Sequence, residues 1–134
     1  MVYDEQDVLT VYILRWHYRL MTRFESQGMA AIAFEEKART LQAENELVAA
    51  EFRKCWSRFT TRAGRKALKL GSIAFHRQVC LRILRDHGRE IVVNRCPKCQ
   101  CVARTPKAKQ CFWCGHDWHF TSSERPSEGS IKMR

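Results

Sequence analysis

The segment from Cys96 to His119, CPKCQCVARTPKAKQCFWCGHDWH, carries five cysteines and two histidines in 24 residues. That is more soft ligands than one metal ion can use. Four of the cysteines fall into two Cys-x-x-Cys turns, Cys96–Cys99 and Cys111–Cys114, with 11 residues between them. Each such turn supplies two thiolates at once, so a pair of turns fills the tetrahedral shell that a zinc ion favours. Eleven residues also suffice for two short strands to run out and return, bringing the turns together. The spacing therefore names Cys96, Cys99, Cys111 and Cys114 as the ligands of one structural Zn²⁺, with iron as the chemical rival.

The arrangement resembles the zinc-ribbon and rubredoxin-like family over residues 90–120 only. Pro97 within the first turn and Gly115 after the second fit that family's habits, whereas Gln100 stands where it usually has glycine. The resemblance implies a small module of short antiparallel strands, drawn from residues 90–94, from Cys101 to Arg104 and from His116 to Phe120. Cys101, His116 and His119 are surplus ligands. Cys101 reads as a buried thiol beside the site, and either histidine as a replacement ligand or a hydrogen-bonding neighbour.

Nothing in the sequence arms this centre for catalysis. Four thiolates close the coordination shell, and a catalytic zinc needs an open position. The chain has no His-Glu-x-x-His, Gly-x-Ser-x-Gly or Walker loop, and no His-x-Glu before its Pro-Cys-x-x-Cys-like turn. His17, His76 and His87 stand alone on helical segments, and Cys55 and Cys80 read as core thiols. The expected protein is not an enzyme.

Ahead of the cysteines the apolar residues recur every three or four positions, which predicts helices. One pattern runs from Asp4 to Ser26 on Leu9, Ile13, Trp16, Leu20 and Phe24, closed by Gly28 as a left-handed cap. A second, from Met29 to Phe59, has Phe34, Ala38, Leu41, Asn45, Val48, Phe52, Cys55 and Phe59 in strict 4-3 spacing. It reads as one helix about 45 Å long. Its seam would be covered by the first helix or, in a homodimer through residues 34–59, by a second copy, with Asn45 fixing register. A third, capped by Thr60 or Thr61, runs to His87 and ends at Gly88, with Gly71 marking a bend or a close crossing. The expected fold is thus α+β and mainly α. A three-helix bundle over residues 1–88 precedes the zinc ribbon at 89–120 and a polar tail at 121–134.

Charge gives the direction of the functional reading. The chain carries a net +10, but residues 1–52 balance at −4 and residues 53–110 at +14. Arg62, Arg65, Lys66 and Lys69 share one face of the third helix, and Lys98, Arg104, Lys107 and Lys109 decorate the first turn and the loop between turns. With Trp113 as a base-stacking ring, these residues are the candidate contacts to DNA or RNA. The alternative is a protein-binding module, an immunity- or antitoxin-like inhibitor or an adaptor, that engages an acidic partner protein. The acidic start MVYDEQDVLT lacks a secretory signal's basic flank, and no apolar run reaches the ~20 residues that span a bilayer. No membrane partner is expected, and seven cysteines without disulfide logic fit the reducing cytoplasm.

Overall fold

A computed structural model of the chain describes residues 2–57 and 60–119. Phe59, Phe120 and the tail at 121–134, all part of the sequence expectations, lie outside the described residues. Within them the chain forms five α-helices: α1 (Glu5–Trp16), α2 (Arg23–Glu44), α3 (Glu46–Ser57), α4 (Arg62–Leu70) and α5 (Ser72–His87). A 3-10 turn, Tyr18–Leu20, links α1 to α2. The mainly helical expectation holds, but each long helix anticipated from periodicity is shorter or divided.

The first correction lies at Trp16. Asp4 caps α1 by accepting from the Asp7 amide, as its acidic first turn requires, yet the helix stops ten residues before Ser26. Thr22 and Glu25 form a reciprocal capping box that starts a new helix. Gly28 therefore lies inside α2 rather than past a helix end. It is buried because α4 and α5 press on it: a Cβ there would sit 2.9 Å from Phe75 Cε1, nearer still to Cζ, and 3.0 Å from Ala67. A Cβ on Gly64 of α4 would likewise meet Ala31 at 3.0 Å. Two glycines and two alanines thus let α2 and α4 cross closely.

The second correction is at Asn45, which interrupts the anticipated 45 Å helix. Its amide still bonds the Leu41 carbonyl of α2, while its side-chain oxygen accepts from the Leu47 and Val48 amides of α3. This polar residue is a shared cap rather than a register device. α3 folds back on α2, stacking Phe52 and Trp56 on Phe34 with ring centroids 4.1 Å apart in both pairs. The buried face of α3 carries Ala49, Phe52 and Trp56, and the seam positions Val48 and Cys55 are exposed. The chain's own α3 packs on the α2 seam, for which the first helix was the expected cover and a second copy the alternative.

Gly71 divides the third pattern into α4 and α5. Its φ of 98° and ψ of 150° are open essentially to glycine alone. The core then gathers Tyr12 and Ile13 of α1, Ile32 of α2, Ala67 of α4, and Phe75, Val79, Cys80 and Ile83 of α5. Ile91 and Val102, on either side of the first cysteine turn, join the same cluster. Across it Arg82 reaches from α5 to Glu25 through Nε at 2.9 Å and through Nη2, which also donates to the Leu20 carbonyl at 2.8 Å. That places the connection between α1 and α2 firmly over α5.

Candidate metal centre

Beyond α5 the backbone makes two antiparallel bridges, Arg95 with Val102 and Gln110 with Asp117, in place of extended strands. The two turns they close are copies of one another, displaced by fifteen residues. The Cys96 amide bonds the Cys101 carbonyl at 2.9 Å, and the Cys111 amide bonds the His116 carbonyl at 2.8 Å. Ala103 and Trp118 donate to Asn94 and Lys109 at 2.7 and 2.8 Å. Gln100 and Gly115 occupy the same place with φ of 65° and 80°. The backbone demands a left-handed residue there, and in the first turn a glutamine supplies it.

This repeat brings the four expected cysteines together. All four Sγ atoms lie within 4.8 Å of one another, with Cys96–Cys114 and Cys99–Cys111 both 3.6 Å apart. A tetrahedron of metal–sulfur bonds of about 2.3 Å has edges of about 3.8 Å, so the set fits one tetrahedral ion. Cys96 and Cys111 are buried at the floor, and Cys99 and Cys114 are exposed at the rim. The arrangement is that of a Cys-x-x-Cys pair able to hold a metal.

Backbone amides are aimed at the sulfurs. Lys98 and Cys99 donate to Cys96 Sγ at 3.4 and 3.5 Å, and Trp113 and Cys114 donate to Cys111 Sγ at 3.3 and 3.4 Å. The Cys101 and His116 amides do the same for Cys99 and Cys114. Burial pushes the Cys96 thiol up, but the Cys99 and Lys98 amides outweigh it and hold the thiol down at about 7. Cys111 is lowered against its burial in the same way, by the Cys114 and Trp113 amides. For Cys99 and Cys114 the amides of Cys101 and His116 are outweighed by partial loss of water at the cluster and by the crowd of thiols, which push both up to about 11. Like charges so close cannot coexist without a cation between them, and a divalent metal is what this donor set suits.

The surplus ligands stay outside the cluster. Cys101 is half-buried, the His116 ring lies over Trp118 with centroids 6.1 Å apart, and His119 Nδ1 pairs with Asp117 at 2.6 Å. Of the two expected core thiols, Cys80 is buried and Cys55 is exposed.

The contacts that hold the module on the helices had no signal in the sequence. Tyr3 accepts from the Val102 amide at 3.0 Å, Tyr12 accepts from the Asn94 amide at 3.2 Å, and Trp16 Nε1 donates to the Arg104 carbonyl at 3.1 Å. Arg95 meets Glu5 with a two-pronged contact, Nη1–Oε1 at 3.1 Å and Nη2–Oε2 at 2.6 Å. That contact is the first cause of a Glu5 carboxyl held below its ordinary value. Asn94 Nδ2 ties down the inter-turn loop by donating to the Thr105 and Ala108 carbonyls, each at 2.9 Å. Tyr3 and α1 thus anchor the module, together with Ile91 and Val102 in the core.

Of the expected contact residues, Arg62, Arg65, Lys66 and Lys69 are exposed along α4, and no acidic group among the described residues reaches them. Lys98, Arg104 and Lys107 are exposed on the module, and Lys109 is half-buried. Trp113 is half-buried, edge-on to Tyr3 at 5.0 Å and packed on the cysteine cluster. Phe112 is the exposed ring of that turn, with the Arg104 guanidinium 3.5 Å above it. Comparison with models of known families, with curated proteins and with solved structures gives no match.

Proposed function

We propose that the protein is a non-catalytic nucleic-acid-binding protein whose zinc-ribbon module, held by one structural Zn²⁺ on Cys96, Cys99, Cys111 and Cys114, is carried on a helical body. The observation that supports binding is the cationic face of α4. Four positive side chains lie in nine residues with no acid among them, and none has an acidic partner among the described residues. Several arginines elsewhere are paired, among them Arg53 with Glu35, Arg77 with Asp7, Arg82 with Glu25 and Arg95 with Glu5. An unpaired row of this kind releases counterions when it meets phosphates, which is the main source of sequence-independent affinity. Arg62 and Arg65 also stand in the first turn of α4, where the helix dipole disfavours them unless an anion is present.

The test is a labelled oligonucleotide titrated with metal-loaded protein at low salt. Sub-micromolar binding, weakened at least tenfold by Lys66→Glu with Lys69→Glu, is expected, and failure to bind any DNA or RNA overturns the reading. Cobalt replacement tests the metal independently: visible bands of a tetrahedral thiolate site are expected, and a colourless protein contradicts it.

A protein partner is the second reading. It is favoured by an open groove of about 560 Å³ walled by Phe24, Ala63, Leu70 and Phe75, with Lys66 and Lys69 on its rim. An acidic, apolar segment suits that groove, and recovery of one stoichiometric protein after nuclease treatment would favour this reading over the first.

A further inference from the structure

We infer that the cleft between α1 and the cysteine module receives an unpaired nucleobase, which makes single-stranded nucleic acid the preferred ligand; this rests on the nucleic-acid reading above. The cleft encloses about 590 Å³, room for a nucleoside with part of its neighbour, and its walls are predominantly apolar. Val11 on α1 is 62% exposed and Trp16, five positions further along, is 41% exposed, and both line the cleft. Ala103 and Trp113 line the cleft from the module.

Cations flank these apolar surfaces, and the carboxylate in the lining, Asp7, is paired with Arg77. The Arg15 guanidinium lies 5.7 Å from the centre of the Trp16 ring, and Arg104, on the cleft wall, lies over Phe112. Neither has an acidic partner among the described residues. Two guanidiniums beside an apolar, aromatic slot give phosphate contacts on either side of a stacked base. The slot is also preformed, because the Trp16 bond to the Arg104 carbonyl joins its two walls. A base held in duplex stacking cannot enter it, so the cleft selects strands whose bases are free.

The experiment compares a labelled single strand of about 15 nucleotides with the same sequence as a duplex, using the metal-loaded full chain. Wild type is expected to bind the single strand about tenfold more tightly. Val11→Gln, charge-neutral and at an exposed position, is expected to abolish that preference while leaving duplex affinity unchanged. Lys66→Gln with Lys69→Gln is expected to weaken both ligands equally. Equal wild-type affinity for the two ligands, or a Val11→Gln loss shared by both, overturns the inference. If neither polynucleotide binds, the nucleic-acid reading itself fails, and a mononucleotide titration read by tryptophan fluorescence then decides the cleft. Quenching in wild type that Val11→Gln removes supports it, and no quenching refutes it.

Discussion

Gln100 and Gly115 perform the same backbone task with different chemistry. At φ of 65° the glutamine Cβ crowds its own peptide, whereas glycine at 80° has none. Gln100→Gly is expected to stabilise the metal-loaded protein by about 1 kcal/mol, and Gly115→Ala to destabilise it by a similar amount, in chemical denaturation. Gly28 obeys the opposite logic. Helix propensity alone favours alanine there by about 1 kcal/mol. The added methyl would press into Phe75 and Ala67, which face it from two other helices and cannot both retreat. Gly28→Ala is therefore expected to cost about 2 kcal/mol net, read as a lower denaturation midpoint.

Among the elements, Glu25 and Arg82 join the start of α2 to the middle of α5, and their side chains are only 15% and 17% exposed. Burial alone would raise the Glu25 carboxyl, but the Arg82 guanidinium and the Thr22 amide outweigh it and hold it below 4.5. The unfolded chain then binds the proton more readily than the folded one. The pair's contribution is intact above the ordinary carboxylate value and drains as the pH falls through the lower folded value. Glu25→Gln is expected to cost about 1–2 kcal/mol at neutral pH and to flatten stability against pH below 4.5. A variant with the wild-type acid slope would contradict this. The helix boundaries show how far the sequence could be read. The box Thr22-x-x-Glu25 and the cap at Asn45 were both present as local signals, but an unbroken apolar period ran through each and favoured a continuous helix. Gly28 was ambiguous because a glycine past a helix end and one inside a close crossing look alike until the crossing helix is known. The cysteine cluster was legible because both turns are local. The docking edge Tyr3, Tyr12 and Trp16 was not, because its partners lie 80 to 99 residues away.

For the molecule as a whole, the cysteine module and the helices are coupled rather than merely tethered. Ile91 and Val102 enter the helical core, while Cys96, Cys111 and Trp118 form a second cluster with Trp113. Removing the metal with a chelator is expected to expose the amides of Gln100, Cys101 and Gly115 to hydrogen exchange within minutes while α5 stays protected. Loss of protection along α5 at the same rate would show that the helices depend on the metal outright. The same partition bears on binding, since α4 lies on the helical body and should keep its cationic face when the module loosens. The central claim, that this unpaired face meets phosphates, is tested most directly by salt. Affinity for a single strand, measured from about 50 to 200 mM salt, should fall linearly on logarithmic axes. Replacing Arg62, Arg65, Lys66 and Lys69 with glutamine should reduce the magnitude of that slope by about 3. An identical slope in wild type and variant would contradict the account.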